Sequence, residues 1–112
     1  MRTVTIIDRQ NASTTIESKE LMVGSSYGYA VEVFWDATVD GIVYLEASVC
    51  NRTARPEEII WVKMNDTVVN TAGNEGRLWN RPQIMYNWVR CKFVPNVGST
   101  GTLTAIICTK DV

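Results

Sequence analysis

Four stretches of this chain alternate apolar and polar residues with a period of two, and that alternation constrains the fold more than any other feature. Tyr27, Tyr29, Val31, Val33 and Trp35 alternate with Gly28, Ala30, Glu32 and Phe34. Val43, Leu45, Ala47 and Val49 alternate with Ile42, Tyr44, Glu46 and Ser48. Val89, Cys91 and Phe93 alternate with Arg90 and Lys92, and Leu103, Ala105 and Ile107 alternate with Thr102 and Thr104. Successive side chains of a strand point to opposite faces, so each stretch predicts a strand with one face in a core. Ile42 and Tyr44 also make the second face of their strand unusually apolar, which predicts a cover over it.

The segments between these strands carry turn chemistry. Asp36 to Gly41 separates the first pair, and Pro95-Asn96-Val97-Gly98-Ser99-Thr100-Gly101 separates the second. Both pairs therefore read as β-hairpins. Arg2 to Asp8 and Thr14 to Ser18 predict two modest edge-type strands around an Asn11-Ala12-Ser13 turn. Ile59 to Met64 and Thr67 to Val69 are further strand candidates divided by Asn65-Asp66. Asn51 to Glu58 reads as an exposed loop, because Pro56 restricts Arg55 to extended backbone. Asn70 to Arg77, with Gly73 and Gly76, reads as another, and Leu78 to Pro82 as an aromatic-bearing loop before the last hairpin begins near Ile84. No segment sustains helical periodicity. Seven or eight short strands with turns about every ten residues predict an all-β fold, an antiparallel β-sandwich of jelly-roll-like type, as a single domain over residues 1–112.

At 112 residues a single domain buries roughly 65 % of its unfolded surface, enough for a core without staples. Eleven basic against twelve acidic side chains give a net charge of -1. No global field draws in phosphate backbones or anionic lipid, so neither nucleic acid nor membrane is an expected partner. The first residues reach Asp8 before any apolar run long enough for a signal peptide or membrane span, which predicts synthesis in a cytoplasm. Cys50, Cys91 and Cys108 lack the spacing of a zinc or redox site and read as reduced thiols, Cys91 buried with Val89 and Phe93. Cys50 and Cys108 share the opposite phase, and would bridge only at the ends of neighbouring strands.

The chain contains no His, which removes the commonest general base, the Ser-His and Cys-His nucleophile pairs and imidazole metal ligands. Glu57 and Glu58 are adjacent and would point apart in extended backbone, so they make a poor carboxylate pair for glycoside hydrolysis. Asp36, Asp40 and Asn51 lack the regular oxygen spacing of a calcium loop. The loops at Asn74 to Arg77 and Gly98 to Gly101 fit no phosphate-binding fingerprint. The expectation is a protein that is not an enzyme and needs no cofactor or metal.

In the order and spacing of its motifs the chain resembles small structural proteins of tailed-phage particles. The matching features are Val31-Glu32-Val33-Phe34-Trp35, the strand Gly41 to Ser48, Trp61, Trp88-Val89-Arg90, and Gly98-Ser99-Thr100-Gly101 leading into Thr102-Leu103-Thr104-Ala105. They span about Tyr27 to Lys110. After Ser48 the sequence departs from the pattern, with Val49 to Pro56 in place of an Asn-Asp-Gly-like turn. The resemblance implies a β-sandwich virion component of capsid-decoration or tail-accessory type. It also implies a major capsid protein or another virion protein as partner, homo-oligomerisation with a trimer favoured, location in the virion, and no catalytic residues.

Aromatic residues flanked by arginines are the best contact candidates, since each hides a large area at little rotamer cost. Trp35 and Trp61 read as core. Arg77, Trp79, Arg81, Tyr86 and Trp88 form the expected interface, with Arg52, Arg55 and Glu57 of the 51–58 loop as a second patch. The alternative is a carbohydrate-binding module of a tail or adhesion apparatus, in which Trp79 or Trp88 stacks on a glycan and Asn74, Glu75 or Asn80 bonds its hydroxyls.

Overall fold

A computed structural model describes residues 2–24, 26–72, 74–82 and 84–111, with Tyr27 and Asp111 as backbone alone. The predicted inward side chain of Tyr27 and the place of Gly73 lie outside the described residues. The fold is the all-β antiparallel sandwich that the alternation predicts, with ten strands among the described residues where turn spacing predicts seven or eight: β1 (Arg2–Asn11), β2 (Ile16–Glu17), β3 (Leu21–Met22), β4 (Ser26–Trp35), β5 (Gly41–Ser48), β6 (Val62–Lys63), β7 (Val69–Asn70), β8 (Gly76–Arg81), β9 (Trp88–Pro95) and β10 (Thr102–Asp111). One sheet runs β1-β10-β4-β8. The other runs β2-β9-β5-β6, with β3 also on β9 and β7 also on β5.

The inner faces carry the core that the period of two marks out, except at Val49, which lies past the end of β5 at Ser48 and is exposed. Val31, Val33, Trp35, Leu103, Ala105 and Ile107 of one sheet meet Val43, Leu45, Val89, Cys91 and Phe93 of the other, all buried. The Trp35 indole donates to the carbonyls of Thr71 (3.2 Å) and Asn74 (2.9 Å), so its polar atom is satisfied within the apolar layer.

Neither predicted hairpin forms. β4 pairs with β10 and β8, β5 pairs with β9, and both turns carry the chain from one sheet to the other. Alternation assigns each strand a face but leaves its neighbour open, and two consecutive strands with buried faces are equally satisfied by facing each other across the core. The two crossing loops hold each other. Asp36 accepts from Thr102 N–H (2.9 Å) and hydroxyl (3.1 Å), and Asp40 N–H donates to the Ser99 hydroxyl (3.0 Å). Thr100 N–H donates to the Thr38 carbonyl (3.2 Å).

Four of the strands are two residues long, and buried hydroxyls continue their ladders. Beside β5, Thr67 accepts from Leu45 N–H (2.9 Å) and Thr71 from Gly41 N–H (2.9 Å). Beside β9, Ser18 accepts from Cys91 N–H (2.8 Å). Each replaces a missing strand partner for a buried backbone donor. The strand predicted at Ile59 to Met64 is confined to Val62–Lys63, and the Asn51 to Glu58 loop contains a short 3-10 turn at Pro56–Glu58.

Candidate interaction surface

The outer face of the second sheet is covered over Tyr44, as predicted, but not over Ile42, which stays exposed beside Val94 at the other end of β5. Lys63 lies over the Tyr44 ring (4.6 Å), and Arg90 bonds Glu46 (2.8 Å) and Glu17 (3.2 Å) beneath the Trp61 ring (4.5 Å). Trp61 is therefore not a core residue, contrary to the sequence reading. It lies half-buried on the outer face, where it caps an arginine and shields its ion pairs from water.

Of the predicted contact residues, Trp79 needs the clearest correction. β8 is a strand rather than a loop, and Trp79 pairs with Val31 on its inner face, where it is buried in the core. Its ring is not presented at the surface, because the inward phase of β8 carries it under the sheet. Arg81 has the same phase and reaches the corner between the sheets, where it bonds Asp66 (2.8 Å). Tyr86 meets Tyr29 there edge-on, with centroids 6.2 Å apart and the hydroxyls hydrogen-bonded. Burial raises both phenol pKa values; the bond between them raises that of Tyr29 further and partly offsets the rise at Tyr86. Trp79 Nε1 and Arg81 Nε are buried without a hydrogen-bond partner among the described residues.

The remaining candidates are dispersed. Arg77 is exposed near the far end of β8, beside Val33. Trp88 is half-buried, and its indole donates to the Asn51 carbonyl (3.1 Å), so it pins the 51–58 loop. Arg52 lies alongside Gly24. Arg55 pairs with Glu57 (3.5 Å) and Glu58 (3.4 Å), and the Arg55 N–H and side chain hold the Glu58 carboxyl below its usual range. This loop largely neutralises itself. The stacking set proposed for a glycan is not assembled: Trp79 is in the core, Trp88 is at the start of β9, and Asn74 sits beside Trp35 at the opposite end. Asp36 and Asp40 likewise serve the crossing loops at the end away from Asn51.

Two depressions flank the tyrosine pair. One, about 320 Å³, is bounded by Tyr29, Ala30, Arg81, Pro82 and Cys108. The other, about 390 Å³, is bounded by Ala47, Val49, Ile60, Val62, Met64 and Tyr86 and is largely apolar, with Cys50 and Lys63 at its margin. Val49, Ile60 and Val62 are 77, 73 and 65 % exposed, and Met85, next to Tyr86 in the chain, is 88 % exposed. This surface was missed by sequence reasoning. Its signal was Ile59-Ile60-Trp61-Val62, a run apolar in both phases, of which a two-layer sandwich covers only one. The three cysteines are free; Cys108 lies on β10 of the first sheet and Cys50 in the loop that follows β5 of the second, so the two form no bridge.

No family model matches the sequence, and no curated protein matches it. Among solved structures, the SPBc2 prophage-derived protein YomS has the same fold. It aligns over 95 % of this chain and 90 % of its own, with a TM-score of 0.58 and 16 % identity.

Proposed function

We propose that this protein is a non-enzymatic structural component of a tailed-phage particle, and specifically a capsid decoration protein that binds the head lattice and associates with itself. The observation that carries this reading is the end-to-end likeness of fold to a prophage-derived protein of nearly the same extent. It agrees with the order of motifs from Val31 to Ala105. The largely apolar surface around Val49, Ile60 and Val62 supports a role in assembly, since uncovered patches of this kind mark contact sites.

The mechanism is mass action. A subunit that binds the assembled shell and not its free parts stabilises the shell, and a self-associating subunit bridges neighbouring sites with raised effective concentration. The test is proteomic analysis of gradient-purified particles, followed by re-addition of the purified protein to particles lacking it. Saturable co-sedimentation with heads and a raised temperature of DNA release are expected. Absence from particles, or binding to host glycans without binding to particles, overturns the reading.

A further inference from the structure

We infer that the uncovered corner beside β6 is where a second copy of this chain binds, through antiparallel pairing of the two β6 edges about a two-fold axis at Val62. This deepens the virion reading and rests on it for the self-association it explains.

β6 is hydrogen-bonded to β5 on one side and to no other strand among the described residues. Val62 stands opposite Ala47, and Met64 N–H donates to the Leu45 carbonyl (2.9 Å). Alternation then turns the backbone groups of Val62 and Met64 toward β5 and those of Trp61 and Lys63 outward. A two-fold axis through Val62 brings Trp61 of each copy opposite Lys63 of the other as reciprocal hydrogen-bonded pairs. Val62 then faces its own counterpart, and the edge is complementary to itself.

Apart from the two-residue β7, which shares the margin of β6 along β5 and bears no charge, the other sheet margins carry guards of the kind that block such pairing. β1 has two breaks in register and bears Arg2, Asp8 and Arg9. β8 bears Arg77 and Arg81, and Glu17, Lys19 and Glu20 lie along β2 and β3. β6 lacks an equivalent guard, because its one charge, Lys63, is drawn onto the Tyr44 ring.

The area also fits a dimer. Val49, Ile60 and Val62 with Lys63 and the rim of the depression expose on the order of 500 Å² per protomer, so a symmetric contact that covers them all buries about 1,000 Å², the threshold for a specific interface. Pairing is isologous, so it closes at two copies. The trimer favoured by the sequence resemblance does not follow from an edge that pairs with itself.

The test is light scattering across concentration together with cysteine cross-linking. The wild-type chain of 12.6 kDa is expected to reach twice that mass, and Val62→Asp to weaken association by at least about tenfold with an unchanged β-sheet spectrum. Directly opposed Val62 positions have the Cα separation a disulfide needs. In a Cys50→Ser background, Val62→Cys is therefore expected to form a covalent dimer under mild oxidation, while Val94→Cys on the outer face does not. The cross-link keeps the inference testable should Val62→Asp fail to fold. A monomer at all concentrations, a stable trimer, or equal cross-linking from both positions overturns it. Loss of the dimer in a protein still found in particles removes this inference alone, whereas a dimer absent from particles removes the virion reading alone.

Discussion

Buried polar atoms do much of the specifying at the scale of single residues. Thr71 accepts from Gly41 N–H and donates to the Val39 carbonyl (3.1 Å), both within the protein interior. Thr71→Val keeps the shape but strands a backbone donor, so a loss of about 1–3 kcal/mol is expected in urea unfolding. Thr67→Val should behave alike. These hydroxyls were not legible in the sequence, because a Thr beside a short apolar run reads equally as the solvent face of a strand.

Cys91 is a different case, since its phase marked it as buried and burial pushes its thiol from 9.0 to about 12. A raised folded value means the folded state holds its proton while the unfolded state releases it. The contribution of Cys91 is therefore complete below pH about 9 and is lost as pH rises toward 12. Tyr29 and Tyr86 add a decline of the same sign above their ordinary value of 10.0. Thermal melts should show stability falling from pH about 9, and Cys91→Ala should flatten the first part of that fall.

Strand identity was legible at the scale of elements, and strand partnership was not. The inward sets of β4, β5, β9 and β10 stood out because apolar residues occupy every second position. β8 did not, because two of its three inward positions are Arg77 and Arg81 at an uncovered margin and only Trp79 is apolar. The crossings between sheets were hidden for the reason that makes them stable: their contacts are loop to loop, as in Asp36 with Thr102 and Asp40 with Ser99.

In the second crossing, Gly98 (φ 90°) and Gly101 (φ 86°) hold left-handed backbone. A Cβ on Gly98 meets nothing, whereas one on Gly101 meets the Thr38 hydroxyl. Gly98→Ala should cost about 1–2 kcal/mol from strain alone, and Gly101→Ala more, as read from denaturation midpoints. On the covered face, Arg90→Ala removes the partner of the mostly buried Glu46 and the ring contact of Trp61. A loss of about 2 kcal/mol is expected, less than for a fully enclosed pair.

The whole molecule has long-range ladders almost throughout. β1 meets β10, β4 meets β10 and β8, and β5 meets β9. Loop closure must precede most pairing, so refolding should be slow for the chain length, in milliseconds to seconds or longer, as stopped-flow fluorescence of Trp35 and Trp79 would measure.

The first sheet has one further property. Its order β1-β10-β4-β8 alternates strands from before residue 36 with strands from after residue 40, like the fingers of two clasped hands. A cut in the first crossing loop would leave each piece holding strands with no partner of its own, while every gap in one matches a strand in the other. The two pieces would be inert apart and would recover the sandwich only on meeting, which makes this loop a natural point at which to divide the chain into a pair of self-assembling halves.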